Sequence, residues 1–147
     1  MPATELNKTF PTASITSEAA FALVQAARAA SRDLGIDVTI AITDAAGHLK
    51  ALDRADAAQF LTIAVAIDKA WTAVSFGLGT HVWNTIIGDS KVAQLAHQPR
   101  LVAVGGGVPI VDGGRVVGGI GISGGNAQQD QQAAEIALKA LGFAVQA

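Results

Sequence analysis

The segment from Val104 to Asp130 reads VGGGVPIVDGGRVVGGIGISGGNAQQD, and it restricts the fold more than any other part of the chain. Ten of its residues are glycine, yet Val104, Val108, Ile110, Val111, Val116, Val117, Ile120 and Ile122 are interleaved with them. β-Branched residues favour strands. Glycines inside strands weaken them, so they mark bulges or places where another backbone or a ligand comes close. The segment ends in Ser123-Gly124-Gly125-Asn126 and passes into a helical pattern. Bare N–H groups at a helix start suit an anion, aided by the helix dipole.

The remaining pattern gives the element order. Residues 1–14 read as an N-terminal arm and 15–147 as a single domain, in keeping with the length. Thr16 is the expected N-cap of a helix carrying Ala20, Leu23, Val24, Ala27, Ala30 and Leu34, stopped by Gly35. Asp37–Thr43 and His48–Asp53 form a hairpin around the Asp44–Gly47 turn. Ala57 to about Phe76 is a long helix whose expected buried stripe is Phe60, Ile63, Ala64, Ile67, Trp71 and Val74. Thr80 is the expected cap of a short helix with Val82, Trp83, Ile86 and Ile87, and 94–99 is a loop. Strands follow near 101–105, 107–111 and 115–122, the last two joined by the Asp112-Gly113-Gly114 turn. A helix spans roughly Ala127–Leu141, ended by Gly142. The order α-β-β-α-α-β-β-β-α lacks βαβ alternation. It predicts an α/β (α+β) fold, a five-stranded antiparallel sheet flanked by helices.

Composition narrows the function. Apolar residues make up 50% and charged residues 15%, with mean hydropathy +0.40. Much of the excess is Ala and Val, which points to a buried subunit contact and a homo-oligomer. A net charge of −2 gives no electrostatic case for nucleic acid. The absence of cysteine removes disulfides, thiolate metal sites and a Cys nucleophile. No metal-ligand spacing is visible and no metal is expected. The N-terminus has no signal-peptide pattern, and the longest stretch without charge, 70–88, is too polar to span a bilayer. No membrane association and a cytoplasmic address are the expectations.

Several motifs occur together in order. They are Asp44-x-x-Gly47-His48, Arg54-x-Asp56-x-Ala58, Lys69-Ala70-x-Thr72-Ala73, Gly106-Gly107-Val108-Pro109-Ile110, Asp112-Gly113, Val117-Gly118-x-Ile120-Gly121-Ile122-Ser123-Gly124-Gly125 and Gln129-Asp130. From about Thr16 to Leu141 the chain resembles the GlcG/HbpS family of haem-binding-like domains. The resemblance implies a profilin- or roadblock-like fold and assembly into dimers and larger rings, which makes a dimer-based tetramer or octamer the expected form. It implies haem for some relatives, fusion to corrinoid adenosyltransferases for others, and catabolic contexts for yet others.

Candidate residues follow. Gly124, Gly125 and Asn126 offer amides to a carboxylate or haem propionate, and Ser123 a hydroxyl. Gly106, Gly107 and Pro109, within the family motif, join them as ligand-binding candidates on glycine-lined strands. Arg54 suits a carboxylate bidentately, or pairs with Asp53 or Asp56. Lys69 flanks the apolar stripe of its helix, where a depressed pKa makes a base or imine-former and an ordinary one makes a snorkelling surface residue. With tyrosine absent and Met1 the sole methionine, the axial-ligand candidates for haem are His48, His81 and His97. His48 matches a family position, and His81 neighbours Trp83.

Two functions compete. One is an oligomeric protein that binds haem or a small acidic metabolite at the glycine-rich strand-to-helix site. The other is a cofactor-independent tautomerase, deaminase or hydrolase acting on an unsaturated or keto acid. In that enzyme Arg54 clamps the carboxylate, glycine amides stabilise an enolate, and Asp56, Asp130 or Lys69 moves the proton.

Overall fold

A computed structural model of the chain describes residues 5–145. The elements are α1 (Ser17–Asp33), β1 (Thr39–Asp44), β2 (Leu49–Arg54), α2 (Leu61–Phe76), α3 (Thr80–Ile86), a 3-10 turn (Ala93–His97), β3 (Gly107–Asp112), β4 (Arg115–Ser123) and α4 (Ala127–Ala140). This is an α+β fold. Its sheet has four antiparallel strands in the order β2-β1-β4-β3.

The expected fifth strand near 101–105 is absent. Side chains take its backbone groups where a ladder would have done so. Thr72 Oγ1 accepts from the Val102 N–H at 3.1 Å, and Asn84 Nδ2 donates to the Ala103 carbonyl at 2.8 Å. Gly106, at φ +125°, then turns the chain into β3.

Each side of the sheet carries a different alphabet because strand side chains alternate. Ile40, Ile42, Val108, Ile110, Ile120 and Ile122 point into one core with Leu23, Val24 and Ala27 of α1 and Ala133, Ala134, Ala137 and Leu138 of α4. The opposite face carries Gly107, Gly119 and Gly121, which lie directly under the α2 backbone. A Cβ on any of these three glycines would overlap a carbonyl oxygen of Lys69, Ala70 or Ala66 respectively.

That contact reverses the expected orientation of α2. Of the predicted stripe only Val74 is buried; Phe60 and Ala64 are exposed, and Ile63, Ile67 and Trp71 are half-buried. The face against the sheet is Thr62, Ala66, Lys69, Ala70 and Ala73. A glycine floor lets a helix approach so closely that Thr62 and the alanines fit between, while the long Lys69 side chain runs on to the Ile122 carbonyl and Asp130, and size overrides hydrophobicity in choosing the rest of the inner face. The helix also starts at Leu61, because 57–59 form a turn held by Arg54, whose Nη1 donates to the Ala58 carbonyl at 2.8 Å.

Other boundaries match the pattern. Thr16 caps α1 by accepting from the Ala19 N–H at 3.1 Å, and Gly35 follows at φ +72°. Gly113 and Gly114, at φ +58° and +76°, make the two-residue β3–β4 turn. Thr80 does not cap α3. Its N-cap is Gly79, and the buried Thr80 hydroxyl accepts from the Gly107 N–H at 2.8 Å. Residues 5–14 carry mostly exposed side chains, and the segment docks where Ser14 Oγ accepts from Ala45 N–H and Ile15 N–H donates to the Val117 carbonyl.

Candidate functional site

The β4–α4 junction was the foremost expectation. There Asn126 caps α4, accepting from the Gln129 N–H at 2.8 Å, and Gln129 reciprocates by accepting from the Asn126 N–H at 3.0 Å. Asp130 Oδ1 accepts from the Gly125 N–H at 2.9 Å. Two of the three amides expected to hold an external anion, those of Gly125 and Asn126, are thus held by the chain's own side chains, a correction that capping chemistry explains. An open recess of about 500 Å³ lies over the junction, and Asp37 is the one ionisable residue lining it. A negative rim of that kind repels a carboxylate. Ser123 is buried, and Gly106, Gly107 and Pro109 lie in buried backbone beneath α2 and α4.

Lys69 and Asp130 meet, but inside the protein. Lys69 Nζ donates to Asp130 Oδ2 at 3.1 Å and to the Ile122 carbonyl at 2.9 Å, and both side chains are 2–3% exposed. Burial lowers the Lys69 pKa, and the Asp130 charge and hydrogen bond oppose that shift. With both carboxylate oxygens engaged, the pair ties α2, β4 and α4 together. Arg54 spends its Nη1 on the Ala58 and Asp56 carbonyls. Arg54, Asp56, Lys69 and Asp130 therefore do not converge on one cavity.

The three histidines stand apart. His97 ends the exposed 3-10 turn. His81, on α3, lines a cavity of about 380 Å³ between α3 and α4. Its Nδ1 is buried with no hydrogen-bond partner among the described residues. His48 sits at the β1–β2 hairpin with its side chain 79% exposed, and its Nδ1 is 3.6 Å from Asp44 Oδ1. Burial pushes the Asp44 carboxyl up, but hydrogen bonds from the His48 and Ala46 N–H groups, with the charges of His48 and Lys50, outweigh it and hold the pKa below its ordinary value.

Sequence reasoning missed what packs against Gly47, the neighbour of His48 in the chain. Gly47 lies against the Trp71 indole, where a Cβ would stand 2.9 Å from Trp71 Cδ1. The Arg100 guanidinium stacks on the same indole, 4.6 Å from its centroid, and its Nε donates to Asp68 Oδ1 at 2.8 Å. These residues are distant in the chain, and no motif spacing links them. Among the described residues no three His, Asp or Glu side chains gather as metal ligands, and no single helix is long and apolar enough to cross a membrane.

A family model described as "Haem degrading protein HbpS-like" matches residues 15–139. The chain belongs to this HbpS-like family. An uncharacterised 15.0 kDa protein from the dhaT-dhaS intergenic region of Citrobacter freundii is 35% identical over 136 residues, covering 90% of this chain and 96% of that one. A crystal structure of a PduOC–haem complex superposes with TM-score 0.84 at 29% identity, covering 91% of this chain and 99% of that one. A double mutant of HbpS from Streptomyces reticuli superposes with TM-score 0.86 at 28% identity, covering 95% of each chain. Haem or related ligand binding is supported for the HbpS-like family as a whole, and among the described residues His48 is the only histidine with a carboxylate within 4.0 Å of a ring nitrogen.

Proposed function

We propose that this chain is a haem-binding protein of the HbpS-like family, with His48 as the iron ligand. The observation that carries the reading is the position of Asp44 Oδ1, 3.6 Å from His48 Nδ1. A carboxylate on that side favours the proton on Nδ1 and leaves the Nε2 lone pair facing outward, the arrangement that suits metal ligation. His81 has the opposite disposition. Its Nδ1 is buried without an acceptor, so placing the proton there leaves an orphaned donor, which proteins avoid. Ligation through His81 Nε2 requires that unfavourable tautomer.

The surroundings of His48 fit the rest of a haem. Trp71, next to Gly47, and half-buried Ile67 offer an apolar wall on the outer face of α2, and Arg100 and Lys50 offer cations for propionates. Bound haem supplies redox and oxygen chemistry at its iron. The chain's own residues orient the imidazole and receive the carboxylates. The enzymatic alternative draws no support from Arg54, Asp56, Lys69 and Asp130, since they are separated or internally paired.

Self-association belongs to the same reading. A helix apolar on both faces is normally covered on both. α2 presents Phe60, Leu61, Ala64 and Ile67 outward, with Phe60 84% and Leu61 66% exposed. A second copy is the cover we infer, which also shields a haem lying on α2.

Titration of the apoprotein with haemin tests the proposal. A saturable Soret band is expected, lost in His48→Ala and kept in His81→Ala. An unchanged band in His48→Ala overturns the assignment.

A further inference from the structure

The cavity between α3 and α4 has a chemistry that the haem reading does not use. We propose that it is a separate site for a small, uncharged cyclic amide. Its wall is apolar at Val104, Gly105 and Ala127 and polar at His81, Asn84, Glu135 and the neutral amides of Gln128, Gln131 and Gln132, each of which both donates and accepts. At about 380 Å³ it is at the low end of small-molecule sites, which span roughly 300–1,000 Å³.

The polar groups define the ligand by what they still lack. The buried His81 Nδ1 has no partner, so the neutral imidazole carries its proton on Nε2, the nitrogen left accessible. His81 therefore asks for an acceptor. Asn84 Nδ2 donates to the Ala103 carbonyl at 2.8 Å, and Asn84 Oδ1 has no partner among the described residues. Glu135 Oε1 accepts from Gln131 Nε2 at 3.1 Å, and Oε2 has no such partner. Gln131 is fixed in turn, because its Oε1 accepts from the Gly106 N–H at 3.0 Å. Asn84 and Glu135 therefore ask for donors.

Charge completes the definition. Glu135 is the one carboxylate lining the cavity, and no Lys or Arg lines it. An anion meets uncompensated repulsion. A simple ammonium ion satisfies Glu135 but sets donor against donor at His81. A cyclic amide of the ureide type presents a carbonyl and two N–H groups on one flat, compact ring and answers all three groups.

Saturation-transfer NMR on the full-length chain, with uracil, hydantoin, succinate and methylammonium as probes, tests the assignment. Uracil or hydantoin is expected to bind saturably, with succinate and methylammonium giving no saturable signal. His81→Phe removes the donor while keeping a ring, and is expected to weaken binding about tenfold, the upper end of what one neutral hydrogen bond carries. Ala127→Leu, at an exposed position on the cavity wall, is expected to abolish binding with the circular-dichroism melt unchanged. Both variants are expected to keep a haemin Soret band, so failure here is separable from failure at His48. Saturable binding of succinate, equal binding in Ala127→Leu, or no binding of either ring overturns the proposal.

Discussion

Gly121 of β4 lies so close beneath Ala66 of α2 that a single added methyl group would overlap the Ala66 carbonyl oxygen. Neither partner has a flexible side chain to yield, so the helix must lift from the sheet. Gly121→Ala is expected to destabilise the fold by about 3 kcal/mol, at the upper range for overpacking. Gly113→Ala, in an open turn at φ +58°, is expected to cost only about 1 kcal/mol, from backbone strain alone. Urea unfolding of the two variants side by side checks the contrast.

The Lys69–Asp130 pair is structural. Removing one member leaves a buried charge without its partner, so Lys69→Met and Asp130→Ala are each expected to cost about 3–5 kcal/mol. The double variant is expected to be less damaging than the sum, which a double-mutant cycle in urea measures.

The pH dependence of that pair has a definite sign. Burial holds the folded Lys69 pKa below its ordinary value of 10.5. Between the two values the unfolded chain binds the extra proton, so Lys69's contribution to stability increases with pH through that window. Urea midpoints measured across the alkaline range are expected to rise less steeply, or fall sooner, in Lys69→Met than in the parent. Identical profiles would show that Lys69 titrates alike in both states.

Asp44→Ala probes the haem assignment while leaving the His48 imidazole in the chain. Loss of a carboxylate behind a ligating histidine typically costs 10–100-fold in metal affinity. Haemin titration is expected to show a loss within that range, and Arg100→Ala a smaller one from weaker propionate pairing. A Kd unchanged in Asp44→Ala contradicts the role given to Asp44.

Phe60→Ser and Leu61→Ser together are expected to convert the assembled protein to monomers, as read by light scattering after size-exclusion chromatography. Both side chains are largely exposed on the outer side of α2, so the monomer fold is expected to survive. A parent that is itself monomeric at micromolar concentration removes the self-association reading.

Local patterns were legible where local physics decides. The Thr16 cap, the stops at Gly35 and Gly142, the Gly113-Gly114 turn and the shared face of Ile40 and Ile42 in β1 all follow from backbone preferences within a few residues. The motifs also pointed to the family that the comparison then matched over 15–139. The fifth strand failed because Thr72 and Asn84, remote in sequence, compete for the backbone of 102–103. The α4 amides failed as an anion site because Asn126, Gln129 and Asp130 reach them first, although the Asn-x-x-Gln capping spacing was present in the sequence.

The sequence by itself determined that a glycine-lined sheet must be approached closely by something, since so many strand positions forgo a side chain. Only the tertiary structure decided that α2 is that visitor and that its small residues face inward. It also decided that Lys69 and Asp130 are sealed beneath α2 while Arg100 stacks on Trp71, which packs against Gly47. The physical reason is that periodicity reports which residues are apolar, whereas the choice of buried face depends on the width of the gap a partner element leaves, and that gap is set by residues about fifty positions away in the chain.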